Sequence, residues 1–387
     1  MKELIKFELY KIFSKKSVLV LLLICIITSI SSTITDYLDI REKGLESYDN
    51  IKKIGQEYEG TTITEKSKEE LEKKGNDARI RYNNRENITD KEKVITYGMY
   101  DYFIGLKSEY EHMIVGRFYK VKDIKNELSR LEKDGESNTY NYKELKYVYD
   151  LENKKEIPKY HFKFGWREAT EFNMKPLWIA ILIIVAISTI FSNEYQSNTA
   201  SIVLSSKNGQ RKLTWAKVVA GLLFSTFTFI IVNGIQVIIL AMHGFEGWNV
   251  PMSFLSNCVR TPYTINIGTF FITGLLVSFI GVILFTLLIM LISLISKSNI
   301  ISFAISVAIL LGPEFLARFM PTYNLTKIFM ELNIENLMGP IMMFGATSTY
   351  NIFGKPTLYL NVIVTIGIIS IPIILYLINK FGKKQVV

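Results

Sequence analysis

The sequence predicts an all-α integral membrane protein: six transmembrane helices, an amphipathic amino-terminal elbow helix and a helical extracellular insert. Three observations predict it. Long uncharged apolar runs recur, each close to the roughly 20 residues that a helix needs to cross hydrocarbon. Mean hydropathy is positive, +0.21, although 21% of the residues are charged. The two figures agree only if charge is segregated, and residues 36–175 do hold 28 basic and 29 acidic side chains. Outside that stretch the charge is one-sided. Met1–Lys16, residues 193–217, Lys297 and the last lysines are basic, whereas the loops between the other helix ends balance. A Lys/Arg excess marks the cytoplasmic side. The net charge of +9 is therefore a topological signal and not a nucleic-acid one.

In chain order, Met1–Lys16 is basic with interleaved apolar residues. Ile5, Leu9 and Ile12 share a helical stripe that Leu4, Phe7 and Tyr10 leave, so the helix is an imperfect amphipath. It suits the inner membrane interface. The other reading is a signal-peptide n-region, but the stretch carries Glu3 and Glu8 and no A-x-A site follows, which favours an uncleaved anchor. Residues 17–35 are the first span, so 1–35 form one unit, elbow plus span. The basic start places residues 36–175 outside.

That insert reads as helical. Residues 65–85 are Lys/Glu-rich, and from Val94 to Leu131 apolar residues recur at helical spacing. Residues 140–153 offer a further helix. The tyrosines between Tyr97 and Trp166 read as core packing of a small helical domain or as a docking surface for a peptide or lipid.

Residues 176–193 are the second span and 218–242 the third. Asn233 and Gln236 lie three apart on one face of the third. They read either as helix–helix glue or as a pair lining a substrate path. Residues 243–267 form an outer loop, 268–296 a fourth span and Lys297-Ser298-Asn299 a tight inner turn. The fifth span starts at Ile300, and Gly312-Pro313 is expected to kink or end it. Glu314 and Arg318 follow at i, i+4, able to pair as an outer-gate latch or as a plain interfacial ion pair. Residues 321–355 stay apolar but are too short and broken to span twice, so they are expected to be re-entrant or to lie on the outer surface, buried in protein. Residues 356–379 are the sixth span. Six spans return both basic termini to the cytoplasm, making 176–387 the main membrane unit.

Cys25 and Cys258 fall at different depths, which argues against a disulfide. Three His and two such Cys make no metal cluster. There is no Walker A loop, no nucleophile elbow and no paired His, so no catalytic residue is assigned and the chain is not expected to be an enzyme.

One stretch has internal order beyond its charge. Between the second and third spans the sequence runs Glu194-Tyr195-Gln196-Ser197-Asn198-Thr199, then the small apolar patch Ser201–Leu204, then Ser205–Arg211 around Asn208-Gly209, then Ala216-Lys217. This pattern resembles the coupling element of the permease subunits of ABC-2 type exporters. Phe7-Glu8-Leu9-Tyr10-Lys11, followed by Lys15-Lys16 and an apolar run, is similar to the elbow before that family's first span. The resemblance covers the membrane part and leaves out residues 36–175.

The resemblance implies a bacterial cytoplasmic-membrane permease that moves a substrate by alternating access. It would work as two permease copies, identical or related, with two copies of a separate ABC ATPase in contact with membrane lipid; ATP and Mg would belong to the ATPase. It implies that Glu8, Glu194, Thr199, Arg211 and Lys217 couple to the ATPase. It also implies that Ser188, Thr189, Ser302 and Ser306 face the path, beside Asn233 and Gln236. Glu194 would be mechanical, so that its removal uncouples hydrolysis from transport and leaves assembly intact. By analogy the cargo is an antimicrobial peptide, a lipid or a drug. The alternatives are a mechanotransmission-type permease, which has four spans, and a receptor or scaffold that senses a ligand through the outer domain.

Overall fold

A computed structural model describes residues 1–42, 52–53, 56–57, 59–62, 64–84, 86–87, 89, 115–155, 159–163, 165–166, 175–205, 211–255, 258, 261–319, 330–345 and 348–383. The protein is mostly helical. Helix α1 is Lys2–Phe13 and α2 is Lys16–Glu42. In the insert, α3 is Glu65–Asn83, α4 Arg117–Lys133 and α5 Tyr140–Asn153. Then come α6 (Lys175–Ile187), α7 (Ser192–Gln196), α8 (Ala200–Ser205) and α9 (Arg211–His243). Helices α10 (Ile267–Ser296) and α11 (Asn299–Phe319) follow, with the short α12 (Ile334–Met338) and α13 (Ile341–Gly345). Strands β1 (Thr349–Ile352) and β2 (Lys355–Leu358) precede α14 (Tyr359–Lys383).

Five helical stretches are long and apolar enough to cross a membrane: Pro176–Gln196, Arg211–Met242, Ile267–Ser296, Asn299–Phe319 and Tyr359–Lys383. A sixth is reached if α1 and α2, which meet at 72°, count as one bent span. This is the build of a multi-pass membrane protein. The second-span stretch is the axis of the bundle, with 67% of its apolar window buried, whereas Asn299–Phe319 has 17% and is peripheral. Both ends of the chain lie at the same end of the bundle, here the basal end. Gly382 in α14 sits against Thr214 in the first turn of α9, which Phe13 of α1 meets further along, at Phe224.

Buried hydroxyls tie the apolar helices together, as expected where hydrophobic burial does not drive association. Thr286 Oγ1 donates to Ser225 Oγ at 2.7 Å, and both residues are fully buried. Helix starts are capped by the residue types that favour it: Asn266 accepts from Thr269 N at α10, and Thr139 from Tyr142 N at α5. Pro313 neither ends nor breaks α11, which runs on through it to Phe319. At an expected position for loss of regular structure, the helix simply continues.

Among the described residues the fold departs from all-α at one hairpin and two isolated antiparallel bridges, Thr62↔Lys159 and Pro251↔Asn266. Strands β1 and β2 form an antiparallel hairpin, paired from Thr349↔Leu358 to Ile352↔Lys355. Phe353 and Gly354 turn it with φ of 51° and 80°. Two left-handed residues match the twist of a two-residue hairpin, and Asn351 Oδ1 accepts from Gly354 N at 2.8 Å to hold it.

Residues 330–345 return into the bundle. Helix α12 lies on the middle of α10, where Ser278 Oγ donates to Met338 O. At 1.5 Å per residue this point is about 27 Å from the Ser296 end of α10. Short helices at that depth need every polar group met by protein. Asn333 caps Glu335 N, Asn336 Nδ2 donates to Met330 O, and Thr261 Oγ1 donates to Phe344 O.

The insert is locked internally and enters the bundle near its carboxyl end. Helices α4 and α5 pack as a hairpin locked by Glu152, only 2% exposed, which takes Lys120 Nζ at 2.7 Å and Lys155 Nζ at 2.6 Å. Further along, Trp166 is fully buried and meets Trp248 and Phe271 edge-on, within the core of the bundle. Burial pushes the Glu152 carboxyl up, but the hydrogen bonds from Lys120 and Lys155 outweigh it and hold it below the usual carboxylate range. A depressed value stabilises above the unfolded carboxyl value of about 4.3 and is lost as pH falls through the folded one. Hydrogen-exchange protection over 117–153 should therefore persist at pH 6 and fail in acid. Glu152→Gln should already cost about 3 kcal/mol at neutral pH, because it strands two ammoniums.

Candidate functional site

The second-span stretch is not one continuous helix. It leaves regular α geometry at Ile187 and resumes at Ser192, with an i→i−3 bond from Ile190 N to Ile187 O in between. Such a break leaves backbone groups without helical partners. Side chains from four directions fill them. Lys15, in the joint between α1 and α2, donates to Ala186 O at 2.9 Å and to Thr189 Oγ1 at 2.7 Å. Ser302 of α11 donates to Ser188 O at 2.6 Å. Lys217 of α9 donates to Ile190 O at 2.7 Å. Ser293 of α10 accepts from Phe191 N at 3.1 Å and Ser192 N at 3.2 Å.

A charge cluster sits on this break. Lys217 is 1% exposed, and its ammonium lies 2.7 Å from Glu194 Oε1 and over the Phe191 ring at 5.0 Å. Glu194 is also 3.8 Å from Lys11, which pairs at 2.7 Å with Glu8, itself 2% exposed. Two carboxylates and two ammoniums thus alternate across α1, α7 and α9. A buried ammonium is tolerable only when paired and fully hydrogen-bonded. The Glu194 carboxylate and the freed Ile190 carbonyl supply that pairing. Lys15 stands apart, with no carboxylate partner among the described residues.

The same end is joined to the turn between α10 and α11. Ser192 Oγ donates to Asn299 Oδ1 at 2.6 Å, Asn299 Nδ2 donates to Asn193 Oδ1 at 3.1 Å, and Lys297 lies over the Tyr195 ring at 4.7 Å. Helix α7 then stops in a defined way. Asn198 has φ of 57°, Asn198 N bonds to Tyr195 O and Thr199 N to Glu194 O at 3.0 Å. Those paired bonds are a Schellman stop, with Asn in the left-handed position.

The residues expected to couple to an ATPase are thus partly assembled. Glu8, Glu194 and Lys217 come together. Thr199 belongs to the helix stop behind Glu194, and Arg211 is exposed at the start of α9, away from the cluster. Of the residues expected on a translocation path, Ser188, Ser302 and Ser306 are buried between α6 and α11 within one chain, and Ser306 Oγ donates to Ser302 O. Thr189 serves the Lys15 joint. Asn233 donates back to Phe229 O of its own helix, while Gln236, 2% exposed, keeps its Oε1 unpartnered. Asn208 and Gly209 lie outside the described residues.

Glu314 and Arg318 are both exposed on α11, and no ion pair joins them among the described residues. Spacing of i, i+4 permits contact without enforcing it.

Sequence reasoning missed Lys11, Lys15, Ser293 and Asn299 as members of the site. Lys15 had a usable signal: it stands in the two-residue joint between an amphipathic and an apolar helix, where a cation can reach a neighbour's free carbonyls. The others are ordinary polar residues whose role comes only from packing. Cys25 and Cys258 are free and buried. Among the described residues no group of His, Cys, Asp or Glu is arranged to hold a metal ion. Comparison with protein-family models, with curated proteins and with solved structures finds no match for this chain.

Proposed function

We propose that this chain is the permease subunit of an ATP-driven ABC-2 type exporter in a bacterial cytoplasmic membrane. It would have six spans, both termini in the cytoplasm and residues 36–175 outside, and it would work as a pair with two ATPase subunits. The observation that carries this reading is the Glu8–Lys11–Glu194–Lys217 cluster on the break at 188–191. It joins α1, the axial second span and α9 beside the basic stretch 192–217 that resembles the family's coupling element. A force applied to that stretch reaches three helices at once, because the cluster cross-links them. The spans would then switch between inward- and outward-open arrangements as rigid bodies. A broken axial helix with side-chain-capped carbonyls suits such movement.

The reading favours a six-span exporter over the four-span mechanotransmission type, because five apolar helices and a bent sixth are present. The ATPase supplies the hydrolysis, and this chain's residues transmit it. Purification of the tagged chain from its native host should bring down an ABC ATPase in a complex that survives size exclusion with both subunits in equal amounts. Absence of any ATPase from such a preparation, with the permease itself folded, would refute the reading.

A further inference from the structure

Away from the basal cluster, a cavity of about 410 Å³ opens between the end of the insert and the loop joining α9 to α10. Lys154, Lys155, Lys159 and His161 line one side; Asn249, Ser253 and Tyr263 are on the other. The floor is fixed. Met252 N bonds to Ile265 O and Ile267 N to Val250 O, both at 2.8 Å, just before α10 begins at its Asn266 cap. The cavity therefore stands over the start of an apolar helix long enough to cross a membrane, at the level where lipid headgroups would lie.

Its charge is not used up internally. Lys155 is paired with Glu152, and His161 with Glu59 at 2.7 Å. Lys154 and Lys159 have no carboxylate partner among the described residues. The Tyr263 hydroxyl is buried and has no hydrogen-bond partner among the described residues. A buried phenol without an acceptor is costly, and burial pushes its ionisation up, so it remains a donor. Lys154, Lys159, Tyr263 and Asn249 line the cavity from different elements, and Phe254 and Pro251 form an apolar wall beside them. Several donors of mixed direction with positive charge match a multi-oxygen anion better than a single carboxylate.

We propose that this cavity binds a phosphate-class anion, either free or as the headgroup of an anionic lipid. Lys154 and Lys159 neutralise the charge, Tyr263 donates to one oxygen, and the apolar wall takes whatever carbon the anion carries.

The test uses the full chain reconstituted in phosphatidylcholine nanodiscs and titrated calorimetrically with inorganic phosphate, short-chain phosphatidylglycerol and short-chain phosphatidylcholine. Saturable binding is expected for phosphatidylglycerol, for phosphate or for both, and not for phosphatidylcholine. Binding of phosphate identifies a free-anion site, and binding of phosphatidylglycerol alone a headgroup site. Lys154→Gln/Lys159→Gln should weaken it about tenfold. Lys133→Gln/Lys143→Gln, which removes the same charge from exposed positions on α4 and α5, should leave it unchanged. Tyr263→Phe should weaken binding with no loss of melting temperature. No saturable binding of either anion, equal binding of phosphatidylcholine, or equal losses in the two lysine pairs would each overturn the proposal.

Discussion

Glu194→Ala is expected to lower the unfolding free energy by about 3–5 kcal/mol, because it leaves a buried ammonium without its counter-charge. Lys217 is 1% exposed, and Glu194 Oε1 at 2.7 Å is its nearest carboxylate oxygen. Lys217→Met should cost less. It removes the buried charge itself, and the Glu194 side chain, 16% exposed, keeps Lys11 at 3.8 Å. The remaining cost of Lys217→Met is the Ile190 carbonyl, which loses its donor. Combining Glu194→Gln with Lys217→Met should recover most of the stability lost in Glu194→Ala. Thermal unfolding in detergent reads the order directly. Equal melting temperatures for wild type and Glu194→Ala would show that the cluster does not hold the basal end together. The geometry also revises what the sequence alone implied for this variant. Loss of Glu194 should damage the fold of the basal end as well as coupling, so the charge-free double variant is the cleaner probe of transport.

Gly281→Ala is expected to destabilise by about 2–3 kcal/mol, the cost of forcing extra volume into a packed interface. Helix propensity predicts the opposite sign, since Ala in a helix interior is favoured over Gly by up to about 1 kcal/mol. The contact decides. A Cβ at Gly281 would lie 2.7 Å from the Leu337 carbonyl carbon and 2.8 Å from Met338 N. Both are backbone atoms of α12, so no rotamer change relieves the clash, and the Ser278–Met338 hydrogen bond is displaced with it. Gly234→Ala is the control. It lies within α9 with nothing within 4 Å of the added carbon, so propensity alone should act and the variant should be neutral or slightly more stable. Melting temperatures of the two variants, with limited proteolysis over 330–345 to detect release of α12, check the prediction. A Gly281→Ala protein as stable as Gly234→Ala would mean that α12 does not lie against α10.

Much of the architecture was legible in the chain because membrane helices are dictated locally. Twenty-odd apolar residues leave the backbone no partner but itself, so α9, α10, α11 and α14 begin within a few residues of where hydropathy puts them, α9 earliest at Arg211. Glu194 and Lys217 were legible as members of one element from their place in the stretch between two spans. The hairpin at 349–358 carried a weaker signal, Asn351 and Gly354 around a two-residue turn, overlooked because the surrounding residues read as loop and start of span. Other features had no local signature. The break at 188–191 lies within an apolar run, and it persists only because Lys15, Lys217, Ser293 and Ser302, up to 171 residues away, reach its free carbonyl and amide groups. The contact of Lys11 with Glu194 depends on the 72° bend that lays α1 beside α9.

Composition and periodicity alone determined that this protein is helical and crosses a membrane more than once, since the backbone needs its hydrogen bonds met in an apolar solvent, and that it carries one charged insert, since charged side chains are kept out of the apolar runs. The tertiary structure alone decided which polar residues are partners, how deep α12 reaches and that Glu314 and Arg318 stand apart, because burial of a charge or a carbonyl is a property of what packs over it and not of its neighbours in sequence.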